Sequence, residues 1–497
     1  MKFSSACVLA FVLGLSVARA ELVYEVNDLP SPAAPNSLGA SLAKAADGAL
    51  WFSWVEHAEN DTCLLRFSTF DRTAKKWSEA RDIYRGKELV ATSAEFPALA
   101  VGVSGHAAVV WTNGHGGGLF SQSTDNGKTW SSPAPLTRES QAVEKVSAAA
   151  LPDGRVMAAW LDGRAGKPGA SLHQLFARVL GDAGPDQLVD ARVCDCCQTA
   201  LTSFPDGTVL LAYRGRSEEE LRDILVASFI EGKWDPRHAN THDRWKISGC
   251  PVNGPSISSS GPRTAKAWFT AAYDEPRVLV ATSPDAGGIY THAMRADLGH
   301  PLGRVDTLLL RDGTQLVTWI ENVTEPDGRT VAALYLRRYG PAANTHQPTR
   351  LATLGDGKAC GFPRIALVED FDDTPAQLIA TFNRPDGSSG IATLLITMPD
   401  EELLAEADSN CACGAHGEEL RGVPIRGHIL TASSEKGAIR VRHGAVPGLF
   451  RAGERDFKAG PTVIAAVKAD RDILARIEQR NDEWWIFDVR LLGAAQP

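Results

Sequence analysis

The densest chemistry in the chain is Cys194-Asp-Cys196-Cys197-Gln-Thr, three thiols within four residues. Thiolates are soft donors that select Cu(I), Zn(II) or iron–sulfur clusters over hard cations. Three of them so close along the chain can converge on one ion, with Cys250 or Cys360 completing the shell. The same residues admit two other uses. One is a disulfide from Cys196 or Cys197 to Cys250, a kind of bridge whose loss costs about 2–5 kcal/mol in small domains. The other is thiol redox chemistry. Cys411-x-Cys413-x-x-His416 is a second soft-donor set, equally open to a disulfide. His443 is a lone imidazole, a residue more commonly hydrogen-bonded within a strand than ligating.

A second constellation is made of arginines and carboxylates: Asp162-Gly-Arg164, Arg214-Gly-Arg216, Glu321, Arg364 and Arg384. A guanidinium can bind both oxygens of a carboxylate at once. With a carboxyl acid/base among them, such residues could take a carboxylated sugar. The plainer reading is salt bridging with Asp162, Asp223 and Glu321.

Bulk properties narrow the classes. Lys2, the apolar run Val8–Val17 and Ala18-Arg19-Ala20 make residues 1–20 a secretory signal, too short to span a membrane. No other apolar stretch approaches ~20 residues, so no membrane span is expected. The expected address is periplasmic or secreted. A net charge of -9 carries no basic footprint for nucleic acid. Of nine cysteines, Cys7 leaves with the signal; in an exported protein the remaining even number first suggests disulfides.

The elements that must position these residues form a repeat from about residue 36 to 398. Each unit has a short apolar strand, a turn, a second apolar strand ending in an aromatic, a polar loop and further strands. The turn glycine precedes the aromatic by six residues in five units: Gly48 to Trp54, Gly105 to Trp111, Gly154 to Trp160, Gly207 to Tyr213 and Gly313 to Trp319. Gly261 to Trp268 slips by one, and the seventh unit keeps only Ala376 to Phe382. Four-strand units of about fifty residues are propeller blades. The fixed place of the tryptophans makes them core. Seven blades are expected, six being the alternative, with Leu22–Val26 closing the ring. Strand starts then carry Cys196-Cys197, Cys250 and Cys360, and second-strand ends carry the carboxylates and arginines. One face should gather six cysteines around the channel.

Ser123-Thr-Asp125-Asn-Gly127-Lys-Thr129-Trp130 resembles the Asp-box of sialidase-like (BNR) propellers, and Ser283-Pro-Asp-Ala-Gly287 resembles a decayed copy. Asp195–Thr199 and Cys250–Pro255 resemble segments of exported Asp-box proteins. The resemblance implies a sialidase-like propeller and an exported address. A sialidase in addition needs a tyrosine nucleophile partnered by a glutamate. The family's Phe/Tyr-Arg-Ile-Pro signature is absent, Phe362-Pro-Arg-Ile365 having the same types in another order.

The propeller is expected over 21–399. A helix capped by Asp400 and a cysteine-rich linker follow over 400–420. A small barrel is expected over 421–497, with strands at Pro424–Leu430, Ala438–His443, Thr462–Lys468, Ile473–Gln479 and Trp484–Leu491. Arg426-Gly-His-Ile and Ile439–Gly448 in this module resemble periplasmic copper-binding barrels. His443 matches that family's histidine, while its methionine segment falls on Phe450–Arg455. The expectation is an all-β exported scaffold, non-catalytic, that binds a soft metal, with copper as the cofactor, or a partner protein. The partner would be a periplasmic metal-handling protein or a carbohydrate. The alternative is a sialidase-like glycoside hydrolase at the channel mouth.

Overall fold

The computed structural model describes residues 24–398 and 423–491, apart from breaks at 46, 141, 167–171, 239–242, 341–345, 356, 358, 372–373, 385–389, 444–445, 447–448, 461–462, 465–466, 468, 470 and 481–482. The expected signal, the helix after Asp400 and Cys411, Cys413 and His416 lie outside the described residues.

Among the described residues, seven antiparallel sheets are arranged as a β-propeller. Their innermost strands are Leu38–Lys44, Ala98–Val101, Val143–Ala150, Ala200–Ser203, Ser256–Ser260, Pro301–Leu309 and Arg364–Phe371. Each packs on the next and the last on the first, so the ring closes around a channel. The second strands are covered on both faces by neighbouring sheets. They therefore read as continuous apolar runs rather than alternating ones, as in Ala107–Thr112 and Val156–Asp162, where every residue is buried. Trp54, Trp111, Trp160, Trp268 and Trp319 are all fully buried in these strands.

The glycine-to-aromatic spacing has a backbone cause. Gly48, Gly105, Gly154, Gly207 and Gly313 turn the chain between first and second strands at φ between 78° and 95°. Residues with a Cβ avoid that region, so glycine marks the turn.

The seventh sheet takes its outer strand from the other end of the propeller. Glu25–Leu29 pairs antiparallel with Ile391–Thr397, Val26 opposite Ile396. The strand expected at Leu22–Val26 thus lies further along. Leu29 is among its buried anchors. This pairing covers an edge that would otherwise recruit other chains.

The outer hairpin at Ser123 is held by side chains. Ser123 Oγ accepts the Gly127 N–H at 2.9 Å, and Asp125 accepts the Thr129 N–H at 2.9 Å and its hydroxyl at 2.6 Å. Ser283 and Asp285 make the corresponding bonds to Gly287 and Ile289.

The C-terminal strands form a closed barrel in the order Val423–Ser433, Ala438–His443, Gly453–Ala459, Glu483–Leu491 and Arg471–Arg480. The strand expected at Thr462–Lys468 is not among them. Ile464 and Val467 instead make backbone bonds to residues four earlier, as in a helical turn. Gly453–Ala459 takes the strand's place; its first four residues are exposed and only Phe457 and Ala459 are buried, which hid it in a polar run.

Candidate metal centre

The segment Cys194–Thr199 crosses from the outer strand of the third sheet, Gln187–Val193, to the inner strand of the fourth. Its start is pinned where the Cys194 N–H donates to the Arg214 carbonyl at 3.0 Å. Its end is pinned by Gln198, which donates to Ala94 O at 2.8 Å and accepts from the Gly254 N–H at 3.4 Å. One glutamine so ties three crossover segments together. The chain at Gly254 comes so close that a Cβ there would lie 2.1 Å from the Gln198 carbonyl oxygen.

Between these pins the sulfurs converge. Cys194 Sγ lies 3.3 Å from Cys197 Sγ and 3.8 Å from Cys196 Sγ. Cys194 and Cys197 are 1% and 2% exposed. The ligand atoms of Cys194, Cys196 and Cys197 all lie within 4.8 Å of one another. Cys196 is also joined by a disulfide to Cys250, in the equivalent crossover one sheet on, with Cα atoms 6.1 Å apart. Both cysteines stand the same distance before their turn glycines, Gly207 and Gly261, which is why the propeller repeat brings them together.

Two buried arginines face this cluster. Arg222 donates to Cys194 Sγ at 3.3 Å, and also holds Asp195 and Glu220. Its backbone is fixed by donation to Trp245 O, in the crossover that leads to Cys250. Arg214 spends its donors on the carbonyls of Arg222, Asn253 and Phe269 and stacks over Trp245. Among the described residues no carboxylate pairs with Arg214, so its charge is left to act on the thiols.

The two thiols separate in acidity. The hydrogen bond with Cys197 does most to bring Cys194 down to about 6, against the opposing effect of burial. The charge of Arg214, the Cys196 N–H and Arg222 add to it. Burial pushes Cys197 well up, and its hydrogen bond with Cys194 adds to that. The two shifts run in opposite directions, which favours a Cys194 thiolate beside a Cys197 thiol.

The remaining candidates fall elsewhere. Cys360 is buried at the start of the seventh inner strand. It and Cys197 both act on the charge of Arg304, whose pKa burial lowers. Cys360 is not one of the three sulfurs within mutual reach. Cys63 packs into the first sheet's core, 3.6 Å from His57 Nδ1. Of the six cysteines expected around the channel, Cys194, Cys196 and Cys197 lie within mutual reach, and Cys250 is bridged to Cys196. His443 is buried in the barrel, its ring 5.6 Å from that of Phe450 and 6.0 Å from that of Phe457.

The carboxylates at second-strand ends cap tryptophans. Asp162, wholly buried, accepts from Trp160 Nε1, Ser140 and the N–H and guanidinium of Arg164. Glu321 accepts from Trp319 Nε1 and from the N–H groups of Leu298 and His300. Glu56 repeats the pattern with Trp54. The arginines are dispersed: Arg164 bridges Asp162 and Asp186, Arg216 bridges Glu220, and Arg384 meets Asp28. Arg364, 3.7 Å from Asp306, is the one of these that lines the central cavity of about 970 Å³.

Arg222, Arg304 and Gln198 were not singled out by sequence. Arg222 sits on a polar loop, and its one signal is the pair Arg222-Asp223 closing an acidic run that Arg214-Gly-Arg216 opens.

No protein-family model and no curated protein matches the chain. Among solved structures it is similar to a protein of unknown function from Dyadobacter fermentans, at 14% identity over 75% of this chain and 98% of that one, TM-score 0.39. It is similar to a Hadza microbial sialidase, at 14% identity over 57% and 63%, TM-score 0.38. A third is an alpha-L-arabinanase of Penicillium chrysogenum complexed with arabinobiose, at 11% identity over 76% and 98%, TM-score 0.41.

Proposed function

We propose that the chain is an exported, non-catalytic propeller scaffold that holds Cu(I) through Cys194 and Cys197 and delivers it to a metal-handling partner. The observation that carries this reading is the convergence of three sulfurs beside two buried guanidinium groups. Soft thiolates in a buried site favour Cu(I) over the harder cations. Two thiolates and Cu(I) leave one net negative charge, and burying it needs cations nearby. Arg214 and Arg222 supply them.

The hydrolase alternative has less support. An acid/base carboxylate must reach a proton on the sugar. Asp162 and Glu321 are buried beneath the donors they cap, and Arg164, Arg216 and Arg384 serve separate ion pairs.

Copper content of protein purified under reducing conditions tests the proposal. Wild type is expected to retain Cu(I), and Cys194→Ser/Cys197→Ser to lose it. Wild type without copper, or a double variant that binds as well, ends the metal reading. A panel of chromogenic sialosides and other glycosides is expected to stay unhydrolysed; turnover would move the assignment to the hydrolase.

A further inference from the structure

The Cys196–Cys250 bridge has an inner and an outer half. Cys196 Sγ belongs to the group of three mutually close sulfurs, 3.8 Å from Cys194 Sγ. Cys250 is exposed, on the neighbouring crossover. The bond therefore ties a prospective metal ligand to a sulfur that solvent can reach. While it lasts, the site offers Cys194 and Cys197 alone.

We infer that the Cys196–Cys250 bridge is a redox gate on the metal site: its reduction by an external dithiol delivers Cys196 as a third thiolate ligand for Cu(I). The inference rests on the soft-metal reading proposed above. Attack at the accessible sulfur sends the electron pair inward. A thiolate of the dithiol bonds to Cys250 Sγ, the Cys196–Cys250 bond breaks, and Cys196 leaves as a thiolate beside Cys194. The dithiol's second thiolate then attacks its own sulfur in the mixed disulfide. The reagent's disulfide closes, and Cys250 leaves as a thiolate and takes a proton from water. The dithiol loses two electrons and the protein bridge gains them. Metal binding then keeps Cys196 deprotonated, so its charge ends on the ion.

The surroundings suit a sulfur that changes state. Asp195 lies against both Cys196 and Cys250. Its carboxylate is held by Arg222 at 3.4 Å and Arg216 at 3.7 Å, so the negative charge beside the incoming thiolate is offset. Arg222 also reaches Cys194, so one guanidinium spans the cluster and the residue between its cysteines. Gln198 and the Cys194 N–H pin both ends of the segment, which holds Cys196 near the other sulfurs once the covalent tie is gone.

The test compares the full chain as isolated in air with the same protein treated with dithiothreitol and desalted without oxygen. Each is titrated with Cu(I) in competition with a chromogenic Cu(I) chelator, and thiols are counted in parallel. The reduced form is expected to hold Cu(I) roughly tenfold or more tightly, about 1.4 kcal/mol. Cys250→Ser, which cannot form the bridge, should bind at the reduced strength without any dithiol treatment. Cys196→Ser should bind at the oxidised strength in both conditions. Near-ultraviolet circular dichroism checks that both variants are folded, and the wild-type comparison needs neither. Equal affinity of oxidised and reduced wild type overturns the gate and leaves the metal reading standing. No binding by either form removes the metal reading, and the gate with it.

Discussion

At the scale of single residues, the chemistry of the cluster turns on which thiol ionises. Cys194 has its pKa lowered to about 6, first through Cys197 and then through Arg214, the Cys196 N–H and Arg222. A thiol more acidic folded than unfolded stabilises the native state fully above its unfolded value, near 8.5. That contribution is lost as pH falls through about 6. Thiolate absorbance of the folded, metal-free protein should therefore show a step near pH 6 that vanishes in Cys194→Ser. A first step at the ordinary thiol value would show that neither Cys197 nor the arginines lower the pKa of this sulfur. Arg222→Gln should move the step upward, because it removes a guanidinium donor 3.3 Å from Cys194. The cysteines were legible in sequence because three thiols in four residues are conspicuous. The arginines that set their chemistry were not: Arg222 comes from a polar loop, and only the fold turns it inward.

At the scale of elements, crossovers and strand ends do the positioning. Gly254 is the contact that lets the crossover into the fifth sheet press on Gln198, and a Cβ would collide with that backbone at 2.1 Å. Gly254→Ala should cost about 1–3 kcal/mol by overpacking and weaken Cu(I) binding by displacing Cys197. Unchanged affinity, read by chelator competition, would mean that the crossovers do not hold the cluster. Glu321→Ala should be destabilising by about 3 kcal/mol, because it orphans Trp319 Nε1 and two N–H groups. Chemical denaturation checks this; a near-neutral result would remove the capping role. Sequence placed these carboxylates at strand ends, where a ligand could meet them. It could not show that each lies within reach of a tryptophan two residues back. The barrel shows the converse limit. Gly453–Ala459 pairs with Ala438–His443 along its length yet carries too few apolar residues to read as a strand. Ile464 and Val467 fit a strand pattern as well as a helical turn, because apolar runs look alike over short lengths.

At the scale of the whole molecule, ring closure joins residues 364 positions apart. Leu29 pairs with Thr393, whose hydroxyl donates to the Leu29 carbonyl at 2.7 Å. A chain that begins after residue 30 should melt at a lower temperature and self-associate, because Ile391–Thr397 becomes an open edge. Calorimetry and light scattering would show this; an unchanged monomer would mean the strand is dispensable. The architecture was legible because a positive-φ glycine and a buried aromatic recur at one spacing. The same periodicity carries Cys196 and Cys250 to adjacent crossovers, so the disulfide follows from the ring.

X-ray absorption at the copper edge of the reduced, Cu(I)-loaded full chain tests directly whether the crossover sulfurs, and not the barrel, hold copper. The expected spectrum has a shell of sulfur alone, unchanged in His443→Ala and lost with the metal in Cys194→Ser/Cys197→Ser. A shell with nitrogen that depends on His443, or copper retained by the double cysteine variant, would contradict the account.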